Sequence, residues 1–405
     1  MKRLSYAFRY RLGIGAVPGK DVVTCISSNN LLLPAIFLGV IGAGGIYSAA
    51  SSALTVGELT RQVQDSGSRL IIASEDLRET AATAAQNCGI PPERVLVLNA
   101  MERGNRALAS LTKPSDNYLD EANELPWERI SDPKTLESRV IALLYSSGTT
   151  GPPKGVSLSH RNFVTESIIT QSVVGTYLSR TGRRVHVDYH YRAIAHLPAA
   201  HISGLQGYYL NGLMAGGTVF WMPKFLYEKF VDAVVRHRPT FVTTVPAVWL
   251  RMAKDPAVTD QFHCIEHAQA GAAPMGPEVQ KMAEKKLKCN IGQAWGLTET
   301  TGAVTWLPWD RPDDTGSIGQ LLPNTRMKIV DDAEISVPDG HAGEILVKGP
   351  NVMVGYWNNP AATKEALTKD GWLRTGDIGL RRDSKFHIID RKKVLHTTLS
   401  RVDFR

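Results

Sequence analysis

The sequence of 405 residues holds four cysteines, Cys25, Cys88, Cys264 and Cys289, and none of them falls in a C-x-x-C or Cys/His ligand spacing. That excludes a finger-type zinc site and gives no disulfide framework, so a reducing compartment suits the chain. No apolar run reaches the roughly 20 residues that a membrane-spanning helix needs. The longest run, residues 31–47, is interrupted by Pro34 and four glycines and reads as a buried helix ending at Gly42-Ala43-Gly44-Gly45. A secretory signal is not expected, because arginines break up the basic first eleven residues, which read instead as an amphipathic helix. Residues 402–405 carry no peroxisomal address. No repeat of 20 to 50 residues is visible. The formal charge of +7 is scattered, without a basic stripe interleaved with stacking aromatics. Small anionic ligands fit that pattern better than nucleic acid.

What is present is a rhythm of short apolar strands and helical segments up to about residue 310, the mark of an α/β fold with parallel sheets covered by helices. Strands are predicted at 21–26, 69–73, 94–98, 140–145, 194–197, 218–222, 241–245, 267–270 and 290–294. Helices are predicted at 54–66, 227–237, 246–254 and 277–287. Beyond about residue 310, strand-like stretches at 316–332, 342–348 and 372–390 are divided by turn signals and suggest a small antiparallel sub-domain. Residues 111–136, polar and with three prolines, read as an exposed connection.

The most informative stretch is Tyr145-Ser146-Ser147-Gly148-Thr149-Thr150-Gly151-Pro152-Pro153-Lys154-Gly155-Val156, which follows a strand. Its glycines let the backbone approach a ligand, while four hydroxyls and the amide N–H groups can face anionic oxygens. Lys154 adds a point charge suited to a polyphosphate. The Walker pattern is absent, since Pro153 and Gly155 flank the lysine.

This run resembles the signature loop of the adenylate-forming superfamily, which includes acyl-CoA synthetases, 4-coumarate–CoA ligases, luciferases and the adenylation domains of peptide synthetases. The resemblance implies a large domain with two helix-covered, mostly parallel sheets and a small distorted β-barrel. It also implies that Ser146, Ser147, Gly148, Thr149, Thr150, Gly151 and Lys154 hold the phosphates of ATP. Four further motifs follow in the family's order. His196-Leu197-Pro198-Ala199-Ala200-His201-Ile202-Ser203-Gly204-Leu205 sets a histidine at a turn opening a helix; read alone, His201 is a capping or core histidine, and the resemblance puts it at the wall of an acid pocket. Gln269-Ala270-Gly271-Ala272-Ala273-Pro274 is a strand-to-helix turn whose small residues let a planar base lie against backbone, and in the family Gly271, Ala272 and Ala273 line the adenine and acyl side.

Gln293-Ala294-Trp295-Gly296-Leu297-Thr298-Glu299-Thr300 brings a hydroxyl and a carboxylate together as a strand ends, a pairing suited to a magnesium nucleotide. By resemblance Gln293 lies at the nucleotide, Thr298 at the α-phosphate and Glu299 at Mg²⁺. Gly371-Trp372-Leu373-Arg374-Thr375-Gly376-Asp377-Ile378-Gly379 sets Asp377 in a glycine-bounded turn, where the family's aspartate binds the ribose of ATP. Arg391 matches the arginine that also reaches the ribose, and Lys393 matches the inter-domain hinge. His201, Ser203, Gly207, Gly271, Ala294 and Gly296 form the expected acyl pocket. Ala294 replaces a common glycine and should narrow it, whereas Ser203 replaces a bulkier residue and should widen it. The wording of residues 350–357 and 385–390 is similar to the fungal-type, 4-coumarate–CoA ligase-like branch.

The resemblance covers about residues 5 to 395. It divides the chain into a large AMP-binding domain, 1–390, with a β-rich part at 311–390, and a hinge with a divergent stub at 391–405. Relative to the family pattern the N-terminal edge looks shortened, and the small C-terminal domain, with the lysine that acts in adenylation, looks absent. The implied activity is an ATP-dependent acid–thiol ligase with Lys154, His201, Thr298 and Glu299 as catalytic residues. It would act on an aromatic or medium-chain carboxylic acid with ATP, Mg²⁺ and CoA. The alternative is a catalytically impaired remnant that binds nucleotide or acyl-adenylate. The cytoplasm is the expected location, or the peroxisome if a longer chain carries a C-terminal signal. The oligomeric state is left open.

Overall fold

A computed structural model describes residues 1–99, 107–146, 152–184 and 187–392. The first sheet is built around Val22–Ile26 (β1), Ile46–Ala50 (β2), Ser68–Ser74 (β3), Val95–Asn99 (β4), Ala107–Ser110 (β5), Val140–Ser146 (β6) and Lys154–Ser159 (β7). β6, β2, β1, β3 and β4 run parallel in that spatial order, with β5 antiparallel at one edge and β7 antiparallel beyond β6. β1 and β2 are buried at every position, as expected of parallel strands covered on both faces.

A parallel pair, Arg192–Ala195 (β8) and Thr218–Trp221 (β9), precedes the second sheet. That sheet comprises Phe241–Thr244 (β10), His267–Ala270 (β11), Ile291–Leu297 (β12), Gly302–Trp306 (β13) and Gln320–Leu321 (β14). Its first three strands are parallel and its last two antiparallel. The remaining strands are Arg326–Val330 (β15), Gly343–Lys348 (β16), Gly355–Tyr356 (β17), Leu373–Arg382 (β18) and Lys385–Arg391 (β19). β15, β16, β18 and β19 make a four-stranded antiparallel sheet. β17 leaves that group and pairs with β7 at the edge of the first sheet, while β14 extends the second.

The helix His160–Arg180 joins these layers. Ser159 and Asn162 cap its start reciprocally, each side chain serving the other's backbone N–H. Phe163 on this helix packs 5.7 Å, centroid to centroid, from Phe37 of the helix Leu33–Gly42, and Phe37 lies 5.8 Å from Tyr209. Three helical segments thus meet over the first sheet in one core.

The predicted helices 227–237, 246–254 and 277–287 form with those boundaries. Five strands lack a sequence-based prediction: β2, hidden in the tail of the apolar run, β5, β7, β13 and the two-residue β17. β7 is a correction, because Lys154, Gly155 and Val156 were read as loop and lie in a strand. Asp377 is another: it sits inside β18, where Gly376, at φ 71°, and a break in register kink the strand in place of a turn. Among the described residues, no helix is long and apolar enough to cross a membrane.

Candidate active site

β6 and β7 present Ser146 and Lys154 as direct cross-strand partners. The expected phosphate residues Ser147, Gly148, Thr149, Thr150 and Gly151 lie outside the described residues, as does the expected hinge Lys393. Their flanks are well defined. The Ser146 hydroxyl donates to Glu299 Oε1 at 3.0 Å, and the Tyr356 hydroxyl donates to the same oxygen at 2.9 Å. Lys154 Nζ lies 5.1 Å from the centroid of the Tyr356 ring. Burial, together with the neighbouring Glu299 carboxylate, pushes the Tyr356 hydroxyl pKa up, so it stays a donor. Glu299 therefore collects the end of β6, the turn after β12 and β17 at one carboxylate. Thr298, beside it, is half-buried and its hydroxyl has no protein partner among the described residues.

Asp377 and Arg391 stand side by side, Arg391 Nε 2.7 Å from Asp377 Oδ1. Trp295 Nε1 donates to Asp377 Oδ2 at 2.9 Å. Asp377 is 2% exposed. Desolvation raises its pKa, against the lowering effects of Arg391 and of the Trp295 hydrogen bond.

The expected acyl-pocket residues His201, Ser203, Gly207, Gly271, Ala294 and Gly296 all line one cavity of about 170 Å³. His201 begins the helical segment after β8; its Nδ1 accepts from the Ser203 backbone N–H at 3.2 Å and lies 2.9 Å from Ser203 Oγ. The ring opens on the cavity, and the walls around it lower its pKa by desolvation. Gly296 is a close approach: a Cβ there would lie 1.8 Å from Gly302 O on the neighbouring strand. Ala272 lines the cavity at φ 67°, a left-handed conformation that a side chain disfavours. Ala273 is exposed and outside the lining set, and Gln293, expected at the nucleotide, spends its buried amide on the Met275 backbone at 3.1 and 3.0 Å. In this structure Gln293 therefore fixes the loop after β11.

Sequence reasoning missed the aromatic end of the cavity and its helical wall. Tyr189, Tyr191, Phe241, Trp306 and Trp309 line the former, and Glu166, Thr170 and Gln171 of the helix His160–Arg180 line the latter. Trp309 stacks on His267 at 3.7 Å with 7° between the planes, and Tyr177 and Tyr189 pack around the pair. Trp295 was also missed, although it falls inside a quoted motif. It lines the cavity and also donates to Asp377, so it joins the two halves of the site. Among the described residues, no cluster of three metal-ligating side chains exists. One carboxylate, Glu299, fits a divalent cation that arrives already carried by a nucleotide's phosphates.

The sequence pattern of the AMP-binding enzymes matches residues 1–357. The chain belongs to that family. A protein of Emericella nidulans that carries the name acyl-coenzyme A synthetase is 50% identical over 395 residues, which are 97% of this chain and 70% of that protein. A 4-coumarate–CoA ligase of Oryza sativa subsp. japonica is 32% identical over 392 residues, 95% of this chain and 66% of that enzyme. The crystal structure of ATP-bound MatB from Rhodopseudomonas palustris superposes with a TM-score of 0.80 at 27% identity, covering 97% of this chain and 72% of that one. Within the AMP-binding enzymes the chain falls among the acyl-CoA synthetases and 4-coumarate–CoA ligases, which are acid–thiol ligases using ATP and CoA.

Proposed function

We propose that this chain activates an aromatic carboxylic acid of one ring and a short linker, first as the acyl-adenylate and then as the CoA thioester. The observation that carries the reading is Trp295, which belongs to the wall of the acid cavity and to the Asp377–Arg391 pair at once. An acid in the cavity and a ribose at the pair would then be neighbours. A volume of about 170 Å³ supports the size, since cavities near 150 Å³ hold a benzene ring, and the six aromatic residues at its walls, Trp295 included, favour a flat one.

In the first half-reaction a carboxylate oxygen bonds to the α-phosphorus of ATP and the bond to pyrophosphate breaks. In the second the CoA sulfur bonds to the acyl carbon, the bond to AMP breaks and the thiol proton is released. Bound with the nucleotide, Mg²⁺ would neutralise phosphate charge. Glu299 would hold it, released from Ser146 and Tyr356. Lys154 and Thr298 would meet developing charge on the phosphates, and Asp377 with Arg391 would hold the ribose hydroxyls. His201, its pKa lowered by desolvation, would orient the acid's carboxylate. The four free cysteines support work in a reducing compartment, of which the cytoplasm is the simplest.

Acid-dependent ATP–pyrophosphate exchange tests the reading across phenyl-acetic, phenyl-propionic, cinnamic, medium-chain and long-chain acids. Exchange is expected with the aromatic acids. ATP binding by folded protein without exchange for any acid would leave only nucleotide binding.

A further inference from the structure

Two features of the cavity wall play no part in the mechanism above. Glu166, on the helix His160–Arg180, is 1% exposed and lines the cavity, yet no lysine or arginine pairs with it among the described residues. Its Oε1 accepts the Ala303 backbone N–H at 2.9 Å, while Oε2 has only a 3.5 Å contact with Asn351 Nδ2, the outer limit of a hydrogen bond. Desolvation, uncompensated by any cation, pushes this carboxyl up to about 8. The second feature is a pair of side-chain amides. Gln206 and Gln269 line the same cavity, are more than nine-tenths buried, and leave Gln206 Oε1 and Gln269 Nε2 without hydrogen-bond partners.

A hydrocarbon acid filling this space would leave these groups unpaired as they stand, at about 1–3 kcal/mol each. A second carboxylate would fare no better. Among the described lining residues the only side chain able to carry positive charge is His201, whose pKa desolvation lowers. The complement of this wall is a polar group on the ligand that carries a hydrogen: the neutral Glu166 carboxyl and Gln206 Oε1 can accept from it, and an amino group that arrives charged favours the ionised form of Glu166.

We propose that Glu166 is a specificity-determining residue that selects a carboxylic acid bearing a hydroxyl or amino group on its body over the hydrocarbon acid of the same shape. This rests on the acid-activation reading above. Gln206 and Gln269 supply the remaining acceptor and donor around the same group.

The test is calorimetric titration of the chain with non-hydrolysable acyl-sulfamoyl adenosines on one phenylpropionyl scaffold. The set comprises the unsubstituted parent, the ring positional isomers carrying hydroxyl or amino groups, and those carrying a carboxylate. At least one hydroxy or amino isomer should bind about tenfold or more tighter than the parent, with the carboxylates weakest. Glu166→Leu should bring that isomer to within about twofold of the parent, while Glu166→Gln, which can still accept from the Ala303 N–H, should lower the amino-to-hydroxy ratio about tenfold. Equal binding of parent and every isomer overturns the proposal. So does an unchanged amino-to-hydroxy ratio in Glu166→Gln, a variant that decides the matter even if Glu166→Leu fails to fold. Failure of every adenosine to bind, the parent included, overturns the acid-activation reading itself.

Discussion

The cavity and the charged edge around Glu299 and Asp377 lie on either side of Trp295 and are assembled differently. The cavity is walled by rings, amides, small residues and one uncompensated carboxyl, and most of it comes from the helix His160–Arg180 and the second sheet. The edge is made of charged and hydroxyl groups from all three main sheets: Ser146 and Tyr356 from the first, Glu299 after β12, and Asp377 and Arg391 from the small antiparallel sheet. The cavity therefore takes its shape from helical segments packed against the second sheet, whereas the edge draws its groups from three sheets. Selectivity and chemistry should be separable by substitution.

The strongest break in the comparison is on the charged side. Glu299→Gln should lower acid-dependent ATP–pyrophosphate exchange by about 100-fold or more while leaving the order of preference among acids unchanged. A parallel change in acid preference would mean that the two regions are not separable. The next probes the junction. Trp295→Phe keeps a ring in the cavity wall and deletes the donor to Asp377, so KM for ATP should rise about fivefold, with a smaller change in KM for the acid.

The third acts on the cavity side through pH. Between the ordinary 4.5 of a glutamic acid and about 8, folded protein holds a proton on Glu166 that the unfolded chain has released. Its contribution to stability therefore falls as pH rises through that window. Measured by urea midpoint at pH 5, 6.5 and 8, Glu166→Gln should gain on the parent protein as pH rises, and a constant difference would refute the assignment. The smallest effect is local. Ala272→Gly relieves a left-handed alanine and should raise stability by about 1 kcal/mol in the same urea assay.

Much of this was legible in sequence because parallel strands and capped helices are written locally. The apolar run of β6 and the spacing of the helix Pro277–Leu287 needed no tertiary knowledge. The six acyl-pocket residues came from motif resemblance, and they meet because the helical segment after β8, the turn after β11 and the strand β12 converge on one cavity. What escaped was set by distance in the chain. Tyr356 reaches Glu299 only because β17 crosses between sheets, and Glu166 looks like an ordinary helical acid until β13 covers it. Gln293 shows the converse: its motif pointed outward to a ligand, while packing turned the side chain inward to Met275. Asp377 was read as a turn because adjacent glycine and aspartate favour one, and pairing with β16 and β19 overrode that preference.

The two-residue strand β17 also bears on how the protein is made. As the chain emerges from the ribosome, β6 and β7 can pair early, but the outer edge of β7 gains its partner only after residue 356 has been synthesised. Until then nascent protein carries an open strand edge, a template for pairing with other chains. Glu299 meanwhile lacks one of its two hydroxyl donors. Completion of the surroundings of the Glu299 carboxylate and closure of that open edge are thus one event in biosynthesis, late and long-range, so slow translation near residue 350 would lengthen the exposure of both.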